Sequence, residues 1–143
     1  MLFRSMETTL HDGERMIVTI LDMKLGNPER GDVVICHYPN RKDSFGRETN
    51  FVKRVIGVPG DIIWMTGGKT YVNTRLIDEP YIADPDLRNY GPYTVPEGEY
   101  FVMGDNRNHS NDSRFEPGFI PRDMFIGKVR LVMWPPNSIR QVQ

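Results

Sequence analysis

Side chains that could do chemistry concentrate in four short stretches: "SMETTLHDGE" (Ser5 to Glu14), "RGDVVICHYP" (Arg30 to Pro39), "KRVIGVPGD" (Lys53 to Asp61) and "GDNRNHSNDSR" (Gly104 to Arg114). The third sits in "FVKRVIGVPGD", which reads as a β-strand running into a turn at Pro59-Gly60. Successive strand residues point to opposite faces of a sheet. Phe51, Lys53 and Val55 therefore share one face, and Val52, Arg54 and Ile56 the other. If either face is the core, a cation lies against it. Burial disfavours the charged form of a lysine, and the neutral amine is a base; an arginine keeps its proton. A serine hydroxyl, in turn, is a poor nucleophile until an adjacent base takes its proton. Taken singly, however, Ser5 reads as a turn or capping residue and Lys53 as a strand lysine with its head in water. "GDNRNHSNDSR" alone reads as a polar turn whose Asp and Asn side chains bond their own backbone.

Other chemistries are poorly supplied. His11, His37 and His109 show no metal-ligand spacing with one another or with the single cysteine, so neither a metal nor another cofactor is expected, and His109 reads as a loop residue. Cys36 lies inside the apolar run "VVIC", where a thiol behaves as a small buried hydrophobe. The formal net charge is -1 and the pI about 6.3, which leaves no broad basic field, so nucleic acid is not an expected partner. No apolar run approaches the roughly 18 residues that a membrane-spanning helix needs, and the chain as given is expected to be soluble.

The elements that must position these residues are mostly strands. A chain of 143 residues is about one domain. Strand signals cover Arg15 to Asp22, Gly31 to Tyr38, the run around Lys53, Asp61 to Asn73, Glu99 to Asp105 and Gly127 to Trp134. Gly67-Gly68 marks a hairpin turn. In the last run Val129, Leu131 and Met133 alternate with Lys128, Arg130 and Val132, as expected of a strand with one wet face. Helix evidence is limited to one turn near Pro121 to Met124, with Pro at the first helical position. Leu76 to Gly98 reads as an ordered irregular loop, and Asn27 to Asp32 and Pro39 to Asn50 as polar connections.

Together and in this order, the motif stretches resemble those of type I signal peptidases, membrane-bound serine endopeptidases that remove signal peptides from exported proteins. Lys-Arg-Val-Ile-Gly-x-Pro-Gly-Asp and Gly-Asp-Asn-Arg-x-x-Ser-x-Asp-Ser-Arg are complete here, and the similarity runs from Ser5 to about Trp134. The resemblance implies Ser5 as nucleophile and Lys53 as general base. It makes Ser110 the residue that holds the lysine amine through its hydroxyl. Asp112, Arg114, Asp105 and Arg54 become structural partners, with Arg54 on the face opposite Lys53, paired with Asp112 or Asp105 and turned outward or sideways. Met6 would line the pocket for the small residue, commonly Ala, before the scissile bond. The implied fold is mainly β: folded sheets or a partly open β-barrel core with at most short helical turns. The implied organisation is a single catalytic ectodomain over residues 1–143, its core at about 5–65 and 98–135 and a small irregular or β insertion at about 66–97. Implied partners are signal peptides of exported precursors and a membrane surface, at the extracytoplasmic face of the bacterial cytoplasmic membrane. Trp134 and the aromatics near Phe119 and Phe125 are candidates to touch it.

The sequence departs from the family pattern in two places. Thr8 stands where the pattern has proline, which removes a fixed φ angle after the nucleophile. Phe3 and Arg4 precede Ser5, and Phe3 brings no side-chain donor to an oxyanion. The chain also starts four residues before Ser5, so the family's leading strand and membrane anchor are expected to be missing, with weaker turnover than an anchored form. Two rival readings stand beside this one. A self-cleaving repressor shares the Ser-Lys pair, but it needs an internal Ala-Gly or Cys-Gly bond, and this chain has neither. A catalytically weak or inactive peptide-binding β domain would keep the groove without the chemistry.

Overall fold

A computed structural model describes residues 3–143. The runs of β-branched and aromatic residues form eleven strands: β1 (Arg15–Thr19), β2 (Val33–Lys42), β3 (Glu48–Gly57), β4 (Ile62–Thr66), β5 (Lys69–Val72), β6 (Arg75–Leu76), β7 (Tyr90–Thr94), β8 (Glu99–Met103), β9 (Ile120–Pro121), β10 (Phe125–Trp134) and β11 (Arg140–Gln141). Seven of them make one sheet in the order β1-β10-β2-β3-β8-β9, with β11 also paired to β10. The other four make a smaller sheet in the order β6-β5-β4-β7. The pairings are antiparallel throughout. This is the mainly β class that the sequence implies, and the sheets stay open rather than closing into a barrel. Among the described residues no helix is long and apolar enough to cross a membrane.

β3 lies in the middle of the large sheet and is covered on both sides. Phe51 and Val55 pack in one apolar cluster with Val34, Tyr100, Val102 and Phe125. From the other face Val52 enters a second cluster with Met6, Leu10 and Val129. Ile56 enters a third with Ile63, Phe101 and Met103, which joins the two sheets. The turn that follows is fixed by Asp61, whose carboxylate accepts from the Val58 N–H, from Arg30 and from Asn73. Those hydrogen bonds hold its pKa below the ordinary carboxylate range against the opposing effect of burial. At the β4–β5 hairpin both Gly67 and Gly68 have positive φ, as a two-residue turn that matches strand twist requires.

Several local expectations need correction. The first strand stops at Thr19, and Leu21–Leu25 form a short α-helix, α1, that no apolar period announced. The polar stretch Pro39 to Asn50 is not merely a connection: β2 runs on to Lys42 and β3 begins at Glu48, so the hairpin projects beyond the core. Part of the segment read as irregular pairs with β4 as β7. The helical turn is Arg122–Met124, with Pro121 just before it. In β10 a register shift against β1 near Arg130 breaks the alternation, burying Val132 and leaving Met133 45% exposed. Phe125 is buried and cannot reach a membrane, whereas Trp134 is half exposed.

Phe101 has no exposed surface and packs between Tyr93 of the small sheet, at a tilt, and the edge-on ring of Phe119, so it ties the sheets together. Phe101→Ala is expected to cost about 3–5 kcal/mol in urea unfolding. Phe45→Ala, at a position 80% exposed, is expected to stay within about 0.5 kcal/mol.

Candidate active site

Ser5 sits in a one-turn 3-10 helix, Arg4–Met6, closed by a hydrogen bond from the Met6 N–H to the Phe3 carbonyl. The turn is pinned from below by Phe3, Met6 and Leu10, all in the apolar cluster beneath β3 and β10. From above, the Asn106 N–H donates to the Ser5 carbonyl and the Asn106 side-chain amide to the Arg4 carbonyl. The nucleophile candidate is thus held by core packing on one side and a polar loop on the other.

Lys53 reaches it from the centre of β3, with Nζ 2.5 Å from Ser5 Oγ. The residue is only 3% exposed, and its amine lies 5.2 Å from the centroid of the Phe51 ring. Burial pushes its pKa down to about 8, an effect reinforced by the Arg114 cation and opposed by the Asp112 and Asp105 carboxylates. Arg54 points to the opposite face, as strand geometry requires, but that face is also interior. It is 1% exposed and forms a two-pronged ion pair with Asp105 at 2.9 and 2.8 Å. A further guanidinium N–H donates to the Gly31 carbonyl, and the Tyr81 ring lies 3.8 Å away. The expectation of an outward Arg54 therefore fails, while the pairing with Asp105 is present. Asp105 also accepts from Thr9, which ties Arg54 to the segment carrying Ser5.

The loop 104–114 brings in the remaining candidates. The Ser110 hydroxyl donates to Asp112 at 2.7 Å rather than to the Lys53 amine. Asp112 also accepts from the Gly104 N–H and takes two donors from Arg114. Gly104 packs closely against the Ser5 backbone. A Cβ there would lie 2.4 Å from the Ser5 carbonyl oxygen and 2.3 Å from Ser110 Oγ, so no larger residue fits without displacing one of them. Met6 is fully buried among Phe3, Leu10 and Val52 and does not line the cleft, contrary to expectation, because the turn directs it down into the core. Phe3 is likewise buried and offers the cleft no donor.

An open cleft of about 340 Å³ exposes the pair. Tyr38, Arg41, Asn50 and Phe51 of the β2–β3 hairpin form one wall, and Arg4, His109 and Asn111 flank Ser5 on the other. The hairpin wall was hidden in the sequence, because Arg41 and Asn50 fall in the stretch read as a connection. The Asn111 amide donates to the Tyr38 hydroxyl across the cleft. A larger groove of about 460 Å³ beside Lys128 and Gln143 holds no hydroxyl or thiol next to a base. Cys36 is buried and its thiol is pushed up by desolvation, which leaves it inert. Chemically, a hydroxyl in short contact with a depressed amine, in a cleft open to an extended chain, can carry out acyl transfer.

Known proteins resemble this chain along most of its length. The family described as "Signal peptidase, peptidase S26" matches residues 1–134. A probable signal peptidase I-2 of Synechocystis is 40% identical over 92% of this chain and 60% of its own length. The signal peptidase I of Bacillus licheniformis is 39% identical over 96% of this chain and 76% of its own. The crystal structure of a signal peptidase I from Enterococcus faecalis superposes with a TM-score of 0.60 at 28% identity, covering 71% of this chain and 95% of that one. The chain thus spans about three fifths of the Synechocystis relative's length.

Removing one member of the buried Arg54–Asp105 pair leaves an uncompensated charge. Asp105→Ala is expected to cost about 3–5 kcal/mol in urea unfolding. The Arg54→Met/Asp105→Leu double variant is expected to recover most of that loss, since an apolar replacement of both partners removes the buried charge.

Proposed function

The chain belongs to the signal peptidase family, peptidase S26, and on that basis we propose that it cleaves signal peptides from exported precursors after small residues, at Ala-x-Ala sites, with Ser5 as nucleophile and Lys53 as general base. The observation that carries this reading is the 2.5 Å contact between Lys53 Nζ and Ser5 Oγ inside the cleft. In its neutral form Lys53 takes the Ser5 hydroxyl proton as Oγ attacks the scissile carbonyl carbon. The resulting ammonium gives that proton to the leaving amine as the C–N bond breaks, leaving an acyl-enzyme. Lys53 then takes a proton from a water as its oxygen attacks the ester carbonyl, and the ammonium returns that proton to Ser5 Oγ as the ester bond breaks. Ser110, Asp112, Arg114, Arg54 and Asp105 serve as supports of this pair and not as reacting groups. The expected setting is the extracytoplasmic face of the bacterial cytoplasmic membrane. The half-exposed Trp134 and the exposed Leu21 and Leu25 of α1 favour contact with its surface.

The depressed lysine gives the activity a definite pH dependence. With a pKa of about 8, about a tenth of the amines are neutral at pH 7, and kcat/KM is expected to rise roughly tenfold per pH unit below 8 and to level above it. A peptide ending its leader in Ala-x-Ala provides the assay. Ser5→Ala and Lys53→Met are each expected to reduce cleavage by at least about 10³-fold. A flat profile, or cleavage that survives both substitutions, would overturn the assignment.

The same shift sets a stability cost. The Lys53 amine has a pKa of about 8 in the fold against 10.5 when unfolded, so between these values the unfolded chain binds the extra proton. Stability therefore rises with pH across that window, and below it the fold carries a penalty on the order of 3 kcal/mol. Lys53→Met, which fills the site without a charge, is expected to unfold at higher urea than wild type at pH 7, with the difference shrinking towards pH 10.

A further inference from the structure

Two buried ion pairs outside the Ser5–Lys53 contact join the segment between β6 and β7 to the loop that shapes the site. Glu79, its side chain 7% exposed, accepts from Arg107. Asp86, its side chain 4% exposed, accepts from Arg114 at 3.1 Å. Neither carboxylate touches the cleft. What each guanidinium does with its remaining donors is the informative part. Arg107 Nε donates to the Gly104 carbonyl at 2.9 Å, while Arg114 donates through Nε and Nη2 to Asp112, which in turn accepts from the Gly104 N–H at 3.1 Å. Gly104 is thus gripped at its carbonyl through one arginine and at its N–H through the other. It is also the residue that abuts the Ser5 carbonyl so closely that a Cβ has no room. A third residue of the same segment, Tyr81, lies over the Arg54 guanidinium.

We propose that Glu79 and Asp86 are positioning residues for the cleavage reaction, holding Gly104 against Ser5 through Arg107 and, by way of Asp112, through Arg114. The inference rests on the Ser5–Lys53 reading. A guanidinium can bond a carboxylate and a loop atom together only if its plane is fixed, and a partner on the far side fixes it. Without Glu79 or Asp86 the arginines retain their charge but lose that constraint, and the loop rises from Ser5. Misplacement of about 1 Å costs on the order of 100-fold in rate without weakening substrate binding to match. The rising loop also admits water to Lys53, which faces Cys36 of β2 and Asp105, Asp112 and Arg114 of the loop, with Arg4, Arg41 and His109 at the cleft rim.

The test uses Glu79→Gln and Asp86→Asn, with Glu79→Asp and Asp86→Glu as charge-keeping variants if the first pair folds poorly. For each, kcat and KM on an Ala-x-Ala leader peptide are measured well below the unfolding temperature. The Lys53 titration is followed by NMR of lysine labelled at Cε, without substrate. The expected result is a kcat at least tenfold lower with KM within twofold, together with a Lys53 midpoint moved upward from about 8. Loss of a distant negative charge alone would move the midpoint down, so an upward shift reports hydration and not simple charge removal. Folded variants with kcat within twofold of wild type, or with an unmoved or lowered midpoint, would overturn the inference. Failure of the wild-type protein to cleave the leader peptide would instead sink the reading of Ser5 and Lys53, and the Lys53 midpoint would still decide whether Glu79 and Asp86 hold the loop.

Discussion

The rest of the structure is organised around one strand that is buried on both faces from Phe51 to Gly57. β3 carries two adjacent cations through the middle of the large sheet, and each side of it meets an apolar cluster. Charge in such a place is tolerated in only two ways: it is paired, or it is given up. Arg54 cannot give up its proton and is paired with Asp105, with Tyr81 and the Gly31 carbonyl completing its surroundings. Lys53 has no carboxylate within hydrogen-bonding distance, and its amine drifts towards the neutral form beside Ser5. The depressed amine and the buried ion pair are thus two solutions to the same desolvation problem, one residue apart.

The polar loop from Gly104 to Arg114 completes what the strand begins. Asp105 serves Arg54 while also accepting from Thr9, so it fastens the segment that bears Ser5 to the strand that bears Lys53. Asp112 serves Arg114 and the Gly104 backbone. Among the described residues no buried side-chain polar atom is left without a partner. A fully satisfied network in a low-dielectric setting is stiff, which suits a site whose function depends on tenths of an ångström.

Much of this was legible before any coordinates. The alternation in "FVKRVIG" assigned Lys53 and Arg54 to opposite faces, and turn residues located the β4–β5 hairpin. What the sequence could not convey was how the second face of β3 is covered. That cover comes from distant residues such as Met6, Leu10 and Phe101, and strand periodicity reports only which residues share a face, not what lies against them. The hairpin extension past Tyr38 is hidden because Pro39, Asn40 and Arg41 have poor strand propensity, and regular pairing resumes only at Lys42 opposite Glu48. Ser110 shows a related limit: proximity within a motif does not say which acceptor a hydroxyl will choose, and its proton goes to the charged Asp112 two residues away. Met6 looked like a pocket residue by analogy, yet a one-turn helix directs neighbouring side chains to different sides.

The adjacency of Lys53 and Arg54 also makes the Ser5–Lys53 contact depend on strand register. In the native pairing Val34 lies opposite Lys53 and Val33 opposite Arg54. A slip of one residue in the β2–β3 pairing would turn every side chain of β3 to the other face. Arg54 would then stand beside Ser5 and Lys53 beside Asp105, with the same composition, the same strand content and nearly the same buried charge. Spectroscopy of secondary structure would not distinguish the two forms, but the slipped one would present to the serine a group that never accepts a proton. On the Ser5–Lys53 reading, turnover per molecule therefore counts only the chains in which this hairpin has paired in register.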